Sequence, residues 1–244
     1  MTSDTRVLLE TEGQIASITL IHPPANALDN EALRQLVLIL LEVSTSPAVR
    51  AVIITGDGDR MFCAGGDLKE WARLSHKDAD ARLAFLHDVL VTLDGFDKPI
   101  VCAVNGDAVG AGCEIVLFSD IAIASSHARF GFPEIAHGVV PIAKGIRRLV
   151  EVVGPKQASS LLLRGTLMDA TEAKRRGMID EVVQPRALHA RAHEQAHRLA
   201  VSPAVLVSAA KRSIRRSRSL NDDELARFTI EQHRAYSEPA DGSS

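Results

Sequence analysis

Aromatic side chains are scarce, with seven phenylalanines, one tryptophan and one tyrosine in 244 residues. A surface that stacks nucleic-acid bases needs more of them. No charge of one sign dominates either: 28 Lys and Arg stand against 31 Asp and Glu, for a net −3. The basic footprint of a nucleic-acid-binding protein is therefore missing. Only three cysteines occur, Cys63, Cys102 and Cys113, an odd number without CxxC spacing. A disulfide framework and a zinc site are both excluded on that pattern, and a reducing, cytoplasmic compartment is expected. No uninterrupted apolar run approaches the ~18 residues of a membrane span, and the polar start of the chain does not read as a signal peptide. What remains is a chain with 46% hydrophobic residues, long enough for one large domain with a small appendage.

Periodicity predicts strands at 14–21, 50–55, 99–104 and 120–124, and a weak one at 180–183. Between them run helical patterns: one capped by Asp29 or Asn30, two near 67–74 and 77–94, and a short one over 111–118. Strands alternating with helices imply an α/β fold with mainly parallel pairing. From about residue 143 helices dominate, at 144–153, 155–163, 171–176, 187–200, 204–218 and 222–236, with a polar tail over 237–244. The expected organisation is an α/β core over 1–185 and a helical region over 186–244.

Three glycine-rich loops carry the chemistry. The first is Phe62-Cys63-Ala64-Gly65-Gly66-Asp67-Leu68-Lys69. The second runs from Asn105 to Glu114 through Gly110-Ala111-Gly112, and the third is Phe130-Gly131-Phe132-Pro133-Glu134. Glycine lets backbone N–H groups approach a ligand, because no Cβ intervenes. Gly110-Ala111-Gly112 follows a strand and opens a helix, where free amides meet the positive end of the dipole. A dinucleotide fingerprint would need glycine at 115, where Ile115 stands. The segment suits either an oxyanion or simply a tight turn. Glu114 sits among Cys113, Ile115, Val116 and Leu117, an apolar setting in which a carboxylate needs a reason. Glu134 lies between Phe132 and Ile135, which would raise its pKa toward acid–base values.

Other clusters read more plainly. His189, His193 and His197 recur every four residues, but no acidic or thiol partner completes a metal site, and a solvated helix face is expected. Lys211, Arg212, Arg215, Arg216 and Arg218 read as a solvated basic face or as contacts to ligand phosphates. The cysteines read as small buried residues.

In this order and spacing the loops resemble the crotonase, or enoyl-CoA hydratase/isomerase, superfamily. Further matching segments are Pro24-Ala25-Asn26-Ala27-Leu28, Lys98 to Gly106, and Gly177-Met178-Ile179-Asp180-Glu181-Val182-Val183. The resemblance spans residues 18–236. It implies a spiral of β-β-α turns with a C-terminal helical region that drives assembly into a homotrimer or a dimer of trimers. It implies an acyl-CoA thioester substrate, with no cofactor beyond the coenzyme A of the substrate itself. The amides of Gly66 and Ala111 would form an oxyanion hole, Ala111 replacing a more usual glycine. Ala25, Asn26, Ala27 and Leu28, with Ala64, Gly65, Asp67, Leu68, Lys69 and Gly110, would line the substrate and coenzyme A site.

Glu114 and Glu134 match the two acid–base glutamates of family hydratases. That match points to addition of water to a 2-enoyl-CoA, with Glu134 chiefly delivering a proton and Glu114 chiefly holding the water. Isomerase, thioester hydrolase and non-catalytic acyl-CoA-binding members share the scaffold. Ile142 stands where a glycine commonly flanks the water, and Lys144 replaces another small residue, so both are expected to narrow the pocket.

Overall fold

The computed structural model of the chain describes residues 5–237. The polar tail expected over 237–244 therefore lies, apart from Ser237, outside the described residues. Two sheets form the frame. The larger takes β1 (Val7–Glu12), β2 (Ile15–Leu20), β3 (Ala51–Gly56), β5 (Ile100–Val104), β7 (Ile121–Ser125) and β10 (Glu181–Val183), in that spatial order. Its β1–β2 pair is an antiparallel hairpin and every other pairing is parallel. The smaller takes β4 (Met61–Cys63), β6 (Asp107–Val109), β8 (Arg129–Gly131) and β9 (Met168–Asp169). Three times the chain lays a strand in the large sheet, then a short strand in the small one, then a helical turn. This is the β-β-α repeat that the resemblance implies.

The helices are α1 (Asn30–Thr45), α2 (Leu68–Trp71), α3 (His76–Gly95), α4 (Ala111–Leu117) and α5 (Ala143–Val153), followed by α6 (Pro155–Arg164), α7 (Ala170–Arg175), α8 (Leu188–Val201), α9 (Ala204–Arg216) and α10 (Asp222–Ser237). Asp29 is the cap of α1, its carboxylate accepting from the Ala32 N–H at 2.7 Å. The strands of the small sheet go unread in the sequence because two or three residues are too few to show alternation. β1 goes unread because its Glu10, Thr11 and Glu12 belong to a half-exposed edge strand.

Alternation along the large sheet divides the core. Ala16, Ile18, Val52, Ile54, Cys102 and Val104 face one side, with α1, α3, α4 and the small sheet. Ile15, Ala51, Ile53, Val101, Ala103 and Ile123 face the other. There α8 covers them with Leu188, Ala192, Ala196 and Ala200, a stripe at four-residue spacing. The small stripe residues let the helix lie close to the sheet. His189 and His197 lie on its exposed side and His193 is half-buried. Among the described residues no group of His, Cys, Asp and Glu is arranged to hold a metal, and no helix is long and apolar enough to cross a membrane.

Most of the basic segment at the end of α9 is spent on ion pairs within the fold, while Arg216 is exposed and lies over the Phe228 ring. Lys211 pairs with Asp120 at 2.6 Å and donates to the Lys98 carbonyl. Arg212 and Arg215 pair with Asp97, and Arg215 also donates to the Asp94 carbonyl at the end of α3. Arg218 bridges Asp94 and Glu151. Cations here answer carboxylates and the negative C-terminal end of α3, so they dock α9 onto the core. Lys144 joins the same network through Asp94 and lies over the Phe118 ring. It does not line the acyl cleft, so the expectation that it narrows the pocket is overturned.

Burial pushes the Asp94 carboxyl up, but hydrogen bonds from Lys144 and Arg218 outweigh it and hold the group below its usual range. A depressed carboxyl stabilises the fold above its unfolded pKa of about 4, and that contribution is lost as pH falls through the lower folded value. Asp94→Ala is expected to lower the unfolding free energy at pH 7 by roughly 1–3 kcal/mol, measured by urea denaturation. A change below about 0.5 kcal/mol, the ordinary range of surface substitutions, would show that the network does not hold α9.

Candidate active site

Three strand ends of the small sheet converge on one cleft. β4 runs into Ala64-Gly65-Gly66, β6 into Gly110-Ala111, and β8 into the 3-10 turn Pro133–His137. The first two loops touch. Gly65 has φ +83°, and a Cβ there would lie 2.8 Å from the Val109 carbonyl oxygen and 3.2 Å from the Ala111 nitrogen. Gly110 has φ +54° and donates its N–H to the Gly131 carbonyl at 2.9 Å. Leu28 bridges to Gly66, donating to the Gly65 carbonyl at 2.8 Å and accepting from the Asp67 N–H at 3.2 Å. Two backbone donors remain at the cleft. The Gly66 N–H has no acceptor among the described residues. The Ala111 N–H opens α4, where no intrahelical partner exists.

Opposite these amides lie the two carboxylates. Glu114, one turn into α4, is 1% exposed. Glu134 lies in the 3-10 turn and is half-buried. Glu114 Oε1 and Glu134 Oε2 are buried without any hydrogen-bond partner among the described residues. Buried polar atoms are nearly always partnered, so each oxygen is aimed at something that enters the cleft. Burial pushes the Glu114 carboxyl up to about 8, and the neighbouring Glu134 charge adds to it, against the Ile142 backbone amide. Burial raises Glu134 as well, opposed by its own backbone amide. Burial thus disfavours the charged form of both carboxylates, and the Glu134 charge disfavours it further at Glu114.

Glycines make the room for both. A Cβ on Gly110 would stand 2.7 Å from Glu134 Oε1, and one on Gly145 would stand 2.0 Å from Glu114 Oε1. Gly145 is thus a site residue that sequence reasoning missed. It sits inside α5 with ordinary helical geometry, and only the packing of α5 on α4 shows why it has no side chain.

These loops and α3 enclose a single cleft. Ala64, Gly65, Gly66, Asp67 and Leu68 line it from the first loop, and Gly110, Ala111, Glu114, Glu134 and Ile142 from the others. Ala25, Asn26, Ala27, Leu28 and Lys69 do not line it. Asn26 and Leu28 are buried in the fold, and the Asn26 amide donates to the Asp57 and Met61 carbonyls at 3.0 and 2.8 Å. Ala25 and Ala27 spend their carbonyls on Ala64 N–H and the His22 ring. Lys69 is exposed in the first turn of α2. This segment shapes the first loop from behind. The cleft gains instead an apolar wall from Trp71, Leu83, Leu86, Val139 and Val140, with His137 and the buried Arg82 beside it. Helical spacing puts 82, 83 and 86 on one face of α3, but nothing in the sequence says which cavity that face meets. The three cysteines are free and buried, and burial raises the Cys63 and Cys102 thiols to about 12, so none is a nucleophile at neutral pH.

Two unspent amides and two carboxylates thus line one cleft. Comparison with known proteins gives the family. Residues 10–242 match the family described as enoyl-CoA hydratase/isomerase, and the chain belongs to that family. It is 36% identical over 226 residues to the short-chain-enoyl-CoA hydratase of Clostridium acetobutylicum, covering 92% of this chain and 87% of that one. It is 38% identical over 183 residues to the crotonyl-CoA hydratase of Syntrophomonas wolfei, covering 75% and 70%. The crystal structure of an enoyl-CoA hydratase from Bacillus anthracis superposes with a TM-score of 0.92 at 27% identity, over 97% of this chain and 93% of that one.

The raised Glu114 pKa has a consequence for stability. A carboxyl raised from 4.5 to about 8 binds more protons folded than unfolded across that window, so it destabilises the fold progressively as pH rises through it. Glu114→Gln should therefore be more stable than the parent at pH 8.5, with the difference shrinking as pH falls toward 4.5. Melting curves across that range check it, and a difference that does not vary with pH would contradict the buried, protonated Glu114.

Proposed function

We propose that the protein is an enoyl-CoA hydratase, adding water across the 2,3 double bond of a 2-enoyl-CoA to give a 3-hydroxyacyl-CoA. The observation that carries this is the pair of buried, unpartnered carboxylate oxygens beside two unspent backbone amides. An isomerase needs one carboxylate to carry a proton, whereas activating and placing a water uses two acceptors at once.

The thioester oxygen accepts from the Gly66 and Ala111 N–H groups. Polarisation there draws electrons from the double bond and leaves C3 electrophilic. A water hydrogen-bonded between Glu114 and Glu134 gives one proton to the ionised carboxylate as its oxygen bonds to C3. The π pair moves through C2 to the thioester oxygen as an enolate, which the two amides stabilise. Collapse of the enolate takes a proton at C2 from the pair, so that water is consumed and both carboxyl groups return to their starting state. Glu134, the less buried, chiefly delivers the proton, and Glu114 chiefly holds the water. Ile142 and the apolar wall enclose the acyl chain.

No cofactor enters this scheme beyond the coenzyme A of the substrate, and three buried free thiols fit a reducing compartment such as the cytoplasm. The C-terminal helices leave Val205, Leu206, Ile214 and Ile230 exposed, which supports assembly into a homotrimer or a dimer of trimers. Light scattering after gel filtration is expected to give three or six times the chain mass, and a monomer at micromolar concentration would contradict it.

Glu134→Gln is expected to reduce kcat on crotonyl-CoA by ~10²–10⁴-fold with little change in acyl-CoA affinity. The assay follows loss of enone absorbance and incorporation of solvent oxygen at C3. A variant within a few-fold of the parent removes the role of Glu134. Release of free thiol, or rearrangement without solvent oxygen, would instead identify a hydrolase or an isomerase.

A further inference from the structure

Arg82 is 5% exposed, borders the cleft and takes no part in the scheme above. A buried guanidinium needs partners, and Arg82 has two hydrogen-bond acceptors and one ion-pair partner. Its Nη2 donates to the Leu28 carbonyl, its Nη1 donates to Asn30 Oδ1 at 2.7 Å, and its Nε lies 3.4 Å from Glu70 Oε2. The partner that matters is the Leu28 carbonyl, which also accepts from the Asp67 N–H, while the Leu28 N–H donates to the Gly65 carbonyl. Leu28 therefore pins the peptides on both sides of Gly66. Gly66 makes no backbone hydrogen bond of its own, and a Cβ there would find only Arg82 Nη2 within 4 Å, at 3.9 Å. An exposed glycine with open space around it has no intrinsic reason to hold one orientation. Its N–H direction is inherited from Leu28, and Leu28 is held by the arginine fork.

We infer that Arg82 is a positioning residue for the oxyanion hole: it locks Leu28, through which the Gly66 N–H is aimed at the thioester oxygen. The inference rests on the hydratase reading insofar as Gly66 is an oxyanion donor. Glu70 lies 3.4 Å from Arg82 and, with Asp29 and Asp67, answers its charge, so the role rests on the hold over Leu28. Lysine could not substitute, because one ammonium cannot reach Leu28 and Asn30 with the planar fork of a guanidinium.

The test compares wild type with Arg82→Met, using crotonyl-CoA turnover and the absorbance of a bound conjugated dienoyl-CoA. Polarisation of the carbonyl by the oxyanion hole moves that absorbance to longer wavelength, whether or not hydration follows. Misplacing a donor by about 1 Å can lower a rate ~10²-fold, so Arg82→Met is expected to lose kcat on the order of 10- to 100-fold with KM within about threefold, and to lose most of the red shift. Arg82→Lys should recover little of either. A folded Arg82→Met with full red shift and normal kcat overturns the inference and leaves Arg82 as mere glue for α3. Should Arg82→Met not fold, Asn30→Ala decides: it frees one arm of the fork at the surface, and a partial loss of red shift and kcat supports the role while no loss overturns it. A wild type that shows the red shift but does not hydrate crotonyl-CoA removes the hydratase reading and leaves the Arg82 comparison intact. A wild type that binds the dienoyl-CoA with no red shift has no oxyanion hole at Gly66 and overturns both.

Discussion

Glu114, buried, and Glu134, half-buried, lie within range of each other's charge, each with a buried oxygen that nothing among the described residues satisfies. Desolvation and like-charge repulsion both disfavour this arrangement, and the rest of the site is arranged around it. Glycines at 110 and 145 leave space for the carboxylates. The apolar shell of α4 keeps Glu114 dry and its pKa high. Stability lost in this way is a common companion of active sites, and the large sheet with helices on both faces supplies the rigid surroundings that tolerate it.

Rigidity reaches the cleft through the short strands. Each β-β-α turn ends a small-sheet strand at the same edge, so three loops distant in sequence meet there. Contact of Gly65 with Val109 and Ala111 joins two of them, and the β6–β8 pairing joins the third. Polar groups away from the chemistry secure the loops from behind: Asn26 and Asn105 both donate to the Met61 carbonyl, and Arg82 holds Leu28. The charged network around Asp94 serves a different end, fastening α9 and the start of α5 to the core, and α5 carries Gly145 and Ile142.

Arg82 and the Asp94 network show how position decides the meaning of a charge. The cations of α9 are numerous and conspicuous in the sequence, yet their partners are carboxylates and helix-end carbonyls. Arg82 is inconspicuous in the sequence, one basic residue in a helix rich in charge, yet it is buried at the edge of the cleft.

The alternation of strands and helices, the positions of nearly all the helices and the three glycine loops were legible in the sequence, because they rest on local periodicity and on backbone geometry that few residues other than glycine adopt. So was the pair Glu114 and Glu134, since a glutamate among apolar neighbours betrays its burial. The small-sheet strands were not legible, being too short to carry a period. Nor was the distinction between residues that line the cleft and residues that brace it: Asn26 and Leu28 are buried in the fold, whereas Trp71, Arg82 and Leu86 meet the cleft and Gly145 makes room for Glu114. The sequence by itself determined which segments fold and which groups could react. Only the tertiary structure decided which side chains face the same cavity, because that depends on how α3 and α5 rotate and pack against the sheet edge, a long-range outcome that no local pattern encodes.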